Sequence, residues 1–507
     1  MIDLRKYNTY NVWFFVVAIW AAVCVSLSDF LDNPIQSFFG GGITVAYYLV
    51  VVIYSSCILY IVGLNKYVAS ICLPIYGLIG VTVAYYRVKF KITISPMIVN
   101  CVLNTNMQEA SGVVSGQLVG WILFNIIIVI FLLIWRFKVK SFKKHRWIYL
   151  SIVLSILFLF TLSGRILTGL NNRYPLNVLS SLQKNVQYIK KKAIPRQIPQ
   201  SISYTIPQNI DVVFIIGESV RSDHLQLNGY HRQTTPFLSR RQNIYSFNNI
   251  YTPYGFTSQS VPYIMTRSDN NNPSRDLTET SFVSIFDSYH FNTVWIENQI
   301  ICESFRHMPC ECDTAVFLNM GKSNFAKVYD EDVLPIIEQQ LGKNNRNLFV
   351  IHTAGSHWYY NNYLPESQMF FKPITDDRVI TQNTREQIIN SYDNTILYLD
   401  FVLDAIIQKF EKKCAVMIYL SDHGESLGEN GNWLHQGAEE TKNPACIIWF
   451  SNMYAELFPE KVEAVKINKN RCYETDFLFH SILSAINVFT EDYDPSMDVF
   501  AHTKNIH

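Results

Sequence analysis

Five stretches within the first 163 residues, at about 11–28, 43–63, 67–85, 119–135 and 147–163, are apolar over nearly the length a helix needs to cross a bilayer, ~20 residues. The second (ITVAYYLVVVIYSSCILYIVG) and the fourth (VGWILFNIIIVIFLLIW) contain no ionisable side chain. One such run could be the core helix of a soluble protein. Five in succession read as membrane spans, because inside a bilayer only a helix or a closed barrel satisfies its own backbone groups. Residues 1–163 are therefore predicted to form a five-helix transmembrane bundle.

The basic residues of the short loops give the orientation. With a cytoplasmic N-terminus, Arg5, Lys6, Lys66, Arg136, Lys138, Lys140, Lys143, Lys144 and Arg146 lie inside. Only Arg87, Lys89 and Lys91 then lie outside, against the trend. Five spans leave everything after residue 163 on the outer face. The first run reads as a retained span rather than a cleaved signal, since further spans follow it. A net charge of +1 over 507 residues gives no footing for a nucleic-acid partner.

Cys302, Cys310 and Cys312 cluster in the exported part, where an oxidising compartment predicts one disulfide among them. Cys414 and Cys446 read as small buried apolar residues. Residues 164–210 form a connector. Its first half (NRYPLNVLSSLQKNVQYIKKK) has the amphipathic spacing of a surface helix, and its proline-punctuated second half is extended. Residues 211–507 form the globular domain. Its apolar β-rich runs DVVFII (211–216), NTVWI (292–296), NLFVIH (347–352), CAVMIYL (414–420) and ACIIWF (445–450) are separated by helical patterns such as 379–410. That alternation predicts an α/β fold with a mostly parallel sheet covered on both faces.

In open α/β sheets the chemistry collects at the carboxyl ends of the strands. Three strand ends here are followed by GESVRSDHLQLNGY (217–230), TAGSHWYY (353–360) and SDHGESLGENGNWLHQ (421–436). They deliver Glu218, His357, the pair Asp422 and His423, and then His435. Two carboxylates with imidazoles suit a divalent metal of the zinc or manganese type.

These stretches carry a resemblance. Together with TPYGFTSQSVPYIMT (252–266), SYDNTILYLD (391–400) and FLFHSIL (477–483), the chain resembles the phosphoethanolamine transferases of Gram-negative inner membranes, within the alkaline phosphatase and sulfatase superfamily. The resemblance implies a sulfatase-like catalytic domain in the periplasm, transferring phosphoethanolamine from phosphatidylethanolamine to a lipopolysaccharide acceptor (lipid A or core) or another envelope glycan. It implies that Glu218, Thr257, Asp422 and His423 bind Zn²⁺, with Mn²⁺ less favoured and a second divalent ion as an option. Thr257 would be the nucleophile, forming a phosphoethanolamine-threonine, while His357 and His435 would hold the phosphoryl oxygens or a second metal and protonate the leaving group. Thr257 precedes the helical pattern SQSVPYIMT, whose N-terminus favours an anionic phosphoryl group. The loop at 100–112 would meet the ethanolamine end of the donor through Thr105, Glu109 and Asn104. A monomer is expected.

Two departures from the family pattern stand out. No cysteines flank the nucleophile segment, and NQIICESFRHMPCEC (298–312) lacks the family's lysine, leaving Arg306 as a substitute for anion binding. Among rival readings, a sulfatase would need a Cys or Ser in a Cys/Ser-x-Pro-x-Arg setting, which TPYGFTSQS does not provide. A phosphoglycerol transferase is nearer, and GES-x-R with LNGY favours phosphoethanolamine. Spans with hardly any ionisable residues argue against an ion-coupled transporter.

The loop charges give a direct test. A phosphatase reporter fused after residue 210 should be active only in the exported compartment, and one fused at 140–145 should be silent; the reverse pattern would invert the topology.

Overall fold

The computed structural model describes residues 10–30, 38–90, 94, 99, 102, 114–139, 146–162, 164–171, 173–191, 195–299, 302, 304–318, 327–435 and 438–502. The chain forms two compact units, Met1–Lys191 and Lys192–His507.

In the first unit the apolar runs become helices α1 (Tyr10–Ala21), α2 (Phe38–Leu64), α3 (Lys66–Phe90), α4 (Gly116–Lys138) and α5 (Arg146–Leu162), followed by α6 (Gly164–Asn171) and α7 (Leu176–Lys191). Three of them, over Thr44–Leu64, Lys66–Lys89 and Gly116–Lys138, are long and apolar enough to cross a membrane, whereas Tyr10–Ser26 and Trp147–Phe160 are shorter. The five-span expectation is thus met in part. The first run is interrupted, since α1 gives way to a π turn over Ala22–Ser26 and a 3₁₀ turn over Leu27–Asp29.

Polar side chains tie the helices together where hydrocarbon offers no alternative partner. The Trp20 indole N–H donates to Asn125 Oδ1 at 3.0 Å, and Trp13 donates to the Leu132 carbonyl at 2.8 Å. Arg136 donates through Nε to the Gly63 carbonyl (2.7 Å) and through Nη2 to that of Leu64 (3.0 Å), capping the end of α2. The faces not used in packing remain apolar, with Phe124, Ile127 and Phe131 exposed.

The second unit is built on a seven-stranded sheet: β1 (Ile210–Gly217), β2 (Ile244–Phe247), β3 (Asn292–Glu297), β4 (Thr314–Phe317), β5 (Arg346–His352), β6 (Ala415–Ser421) and β7 (Cys446–Phe450). Their order is β2-β7-β6-β1-β5-β3-β4. The run β6-β1-β5-β3-β4 is parallel, whereas β7 runs antiparallel to both of its neighbours. All five expected strands are present. Strands β2 and β4 are additions, and both are short and only partly buried, so they lack a clean apolar signature. Strands β1, β5 and β6 are buried along nearly their whole length, as a sheet covered on both faces requires. The predicted helix at 379–410 is α9 (Arg385–Phe410), which starts at a capping box in which Thr384 accepts from the Gln387 N–H and Gln387 reaches back to Thr384.

The disulfide expectation is not met: no disulfide joins Cys302, Cys310 and Cys312. Cys302 and Cys312 pack against the apolar core of the sheet, while Cys310 is exposed on a 3₁₀ turn, its thiol against the Arg306 carbonyl.

The turn after β5 is fixed by buried Asp330, whose carboxylate accepts from the backbone N–H of Ala354 (2.8 Å) and of Gly355 (3.0 Å) and from the Asn298 amide (2.7 Å). Burial raises its pKa against those three hydrogen bonds. Asp330→Ala should leave buried donors unmet at a cost of about 2–3 kcal/mol. Differential scanning fluorimetry should then show a Tm lower by roughly 3–5 °C; an unchanged Tm would show the turn holds itself.

Candidate active site

The site begins with strand register. Gly217 pairs with Ser421 across β1 and β6, so Glu218 and Asp422 leave the sheet side by side. Ile216 pairs with His352 across β1 and β5, which brings the turn Thr353–His357 to the same edge. The chain reverses sharply after Glu218, with Ser219 in the left-handed region at φ 60°. That conformation costs about 1 kcal/mol or more in a residue with a Cβ. Neighbouring bonds hold it: the Ser219 N–H donates to Asp422 Oδ1 (3.2 Å), its hydroxyl to Glu218 Oε1 (2.6 Å), and the Tyr392 hydroxyl to its carbonyl (2.7 Å). Gly355 closes over this bend at φ 50°, where a Cβ would lie 2.9 Å from the Glu218 carbonyl oxygen. Only glycine fits there.

Glu218, Asp422 and His423 are fully buried, whereas Thr257, His357 and His435 are partly exposed. Thr257 opens helix α8 (Thr257–Met265) as its first helical residue; the cap position belongs to Phe256. The Thr257 hydroxyl is therefore not spent on capping and donates to Glu218 Oε2 at 3.0 Å. Of the other hydroxyls in the segment, Thr252 and Ser260 both donate to the Tyr254 carbonyl.

His423 Nδ1 lies 2.9 Å from the Gly424 carbonyl. A proton on Nδ1 satisfies that carbonyl and leaves Nε2 as a bare lone pair, the usual arrangement of a ligating histidine. Nε2 lies 3.3 Å from Asp422 Oδ2 and 3.7 Å from Glu218 Oε1. Both His423 Nε2 and Asp422 Oδ2 are buried without a hydrogen-bond partner. Ligand atoms of Glu218, His423 and His435 also lie within 4.8 Å of one another. Two buried carboxylates, a bare imidazole nitrogen and a hydroxyl converging on one point form a donor set suited to a divalent cation.

The electrostatics agree. Burial pushes Glu218 up, yet His423, His357 and His435 around it and the Ser219 hydroxyl outweigh burial and hold its carboxyl well below the usual range. Asp422 moves the other way, raised by burial and by the Glu218 charge. His435 faces Glu425, with Nδ1 3.6 Å from Oε1. Burial opposes its charge, but Glu425 prevails and raises it to about 9. The His435 and His423 rings are 4.9 Å apart and the His435 and His357 rings 6.1 Å, so both outer histidines border the cluster. His357 Nδ1 lies 2.6 Å from the Trp358 carbonyl, which turns Nε2 away from it.

The structure therefore gathers Glu218, Thr257, Asp422, His423, His357 and His435 in one place. Thr105, Glu109 and Asn104 lie outside the described residues. Two participants were not anticipated. Gln299 donates to Glu218 Oε2 (3.0 Å) and to the Thr353 carbonyl (2.9 Å). Glu425, fully buried, faces His435 and accepts from the Tyr360 hydroxyl at 3.4 Å. Glu425 stands in the SDHGE stretch and could have been singled out there; nothing in the sequence marks Gln299.

The family model described as Sulfatase matches residues 210–488, and that described as Phosphoethanolamine transferase EptA/EptB matches residues 49–208. Phosphoethanolamine transferase EptA of Escherichia coli is 29% identical over 58% of this chain, which spans 56% of that protein's own length. The EptA of Helicobacter pylori is 28% identical over 85% of each chain. Among solved structures, the integral membrane lipooligosaccharide phosphoethanolamine transferase A of Neisseria meningitidis superposes with a TM-score of 0.80 at 22% identity, covering 96% of this chain and 97% of that one. The periplasmic domain of Escherichia coli EptC in complex with Zn gives a TM-score of 0.53 at 24% identity, over 62% of this chain and 92% of that one. The chain belongs to the sulfatase family, whose model covers more than half of it, and its N-terminal part is similar to the phosphoethanolamine transferases EptA/EptB.

Proposed function

We propose that this protein transfers phosphoethanolamine from phosphatidylethanolamine to a lipopolysaccharide acceptor, lipid A or core, through a covalent intermediate on Thr257. The observation that carries the proposal is the Thr257 hydroxyl, partly exposed at a helix N-terminus and bonded to a buried carboxylate of a metal-type donor set. The names of the relatives, phosphoethanolamine transferases and in two cases a Kdo(2)-lipid A phosphoethanolamine 7''-transferase, support the donor group and the acceptor class.

In this reading residues 1–163 span the inner membrane five times with the N-terminus in the cytoplasm, 164–210 connect, and 211–507 form the periplasmic catalytic domain of a monomer. Glu218, Asp422, His423 and Thr257 would hold Zn²⁺, which the partnerless buried atoms Asp422 Oδ2 and His423 Nε2 fit. When bound, the cation supplies positive charge that makes the Thr257 hydroxyl acidic.

Thr257 Oγ1 forms a bond to phosphorus as the phosphorus–oxygen bond to diacylglycerol breaks. The diacylglycerol oxygen gains one proton for the one Thr257 gives up. His357 and His435 hold the phosphoryl oxygens and serve proton transfer to the leaving group. In the second half an acceptor hydroxyl oxygen attacks phosphorus as the bond from phosphorus to Thr257 Oγ1 breaks, and the proton the acceptor gives up passes to Thr257. Gln299 keeps Glu218 oriented throughout, and Glu425 does the same for His435.

The intermediate is the test. Protein incubated with phosphatidylethanolamine and no acceptor should gain one phosphoethanolamine on the peptide containing Thr257, located by tandem mass spectrometry. Thr257→Ala should lose the adduct and reduce turnover on the order of a thousandfold or more, while Ser258→Ala keeps both. Modification on Ser258 or Ser260 would overturn the assignment, and no adduct at all would overturn the two-step route.

A further inference from the structure

The basic residues that run against the loop-charge trend have a structural setting. Arg87 and Lys89 occupy the last turn of α3, at the end that the proposed topology sets in the outer interface. Directly below them the membrane unit opens a cavity of about 490 Å³ between α1, α3 and α4. Its walls include Val23 and Leu27 from the π and 3₁₀ turns that follow α1, Val81 and Val88 from α3, and Gly120 and Phe124 from α4. Val81, Ala84 and Val88 recur at helical spacing and form one stripe of α3, and by helical spacing Arg87 and Lys89 flank that stripe on its two sides at the interfacial end. Lys89 is exposed.

We propose that this cavity is a binding groove for an outer-leaflet glycerophospholipid, with one acyl chain between α1, α3 and α4 and its phosphate against Arg87 and Lys89. Three observations converge. The lining is almost entirely apolar, and its volume falls in the ~300–1,000 Å³ range of small-molecule sites. From Gly120 to Ile128 the wall runs about 12 Å along α4, close to one leaflet's ~15 Å share of the hydrocarbon core. Two cations at its interfacial end complement a lipid phosphate, which accounts for basic residues where the topology rule disfavours them. The π and 3₁₀ turns after α1 supply one wall, which gives the break in the first apolar run a role.

Identifying the lipid as the donor class rests on the transferase reading, but the test of the groove needs no turnover. Full-length protein in vesicles of phosphatidylethanolamine and phosphatidylglycerol would be photolabelled with phosphatidylethanolamine carrying a diazirine in one acyl chain. Label should concentrate at Val23, Leu27 and Gly120, at least about fivefold over the lipid-facing Ile127 and Phe131. A Cβ at Gly120 meets no atom within 4 Å, so Gly120→Leu grows into the groove and should cut that label about fivefold. Lys89→Glu, at an exposed position, should cut it without affecting folding, and Phe131→Leu should leave the pattern unchanged. Label no richer in the groove than on the outward face, or unaffected by both Gly120→Leu and Lys89→Glu, would overturn the proposal. Groove labelling by a protein that forms no Thr257 adduct would uphold the groove and count against the transferase reading alone.

Discussion

Glu218 and Asp422 leave adjacent strands side by side, both fully buried, and much of what surrounds them serves to make two like charges tolerable in one dry place. Burying a lone carboxylate is costly, and a second one beside it raises the cost. The chain answers with oriented donors and a ring of imidazoles. Ser219, Gln299 and Thr257 donate to Glu218, backbone N–H groups of Ser219 and His423 donate to Asp422, and three histidines stand around the pair. The remaining imbalance is what a divalent cation would remove. The strained φ of Ser219 and the close approach of Gly355 follow from the same need, since both bring backbone against this corner.

How much of this could be read from the chain depends on how far each residue lies from its own signal. Glu218, Asp422 and His423 each follow directly on an apolar strand, so strand pattern and strand-end chemistry identified them together. Thr257 needed the helix after it, and the structure moves it one place into that helix, freeing its hydroxyl for Glu218. Gln299 follows β3, two strands from β1, and meets Glu218 only because the sheet order is β1-β5-β3. Sheet order arises from long-range pairing and has no local signature. Strand direction is hidden in the same way: β7 is as apolar as its parallel neighbours, yet it runs antiparallel. The cysteine cluster shows the limit of compartment arguments, because thiol proximity in sequence does not fix where the side chains point.

The membrane half follows different rules. Helices follow all five apolar runs, and among the described residues three of them have the apolar length to cross a bilayer, while the first run breaks into π and 3₁₀ turns. Helix contacts there include a few polar anchors: Trp13 and Arg136 donate to backbone carbonyls of another helix, and Trp20 donates to the Asn125 amide oxygen. An apolar environment gives such bonds no competitor from water, so they can fix the packing of long featureless helices.

The central claim is that the donor set around Glu218 and Asp422 holds one divalent cation against the Thr257 oxygen. Zinc K-edge X-ray absorption on the purified full-length protein, loaded with one equivalent of zinc, tests it most directly. The expected spectrum is a four-coordinate shell of oxygen and a single imidazole nitrogen at ~2.0–2.2 Å, losing the imidazole contribution in His423→Ala. A sulfur-containing shell, or a spectrum unchanged by His423→Ala, would contradict it.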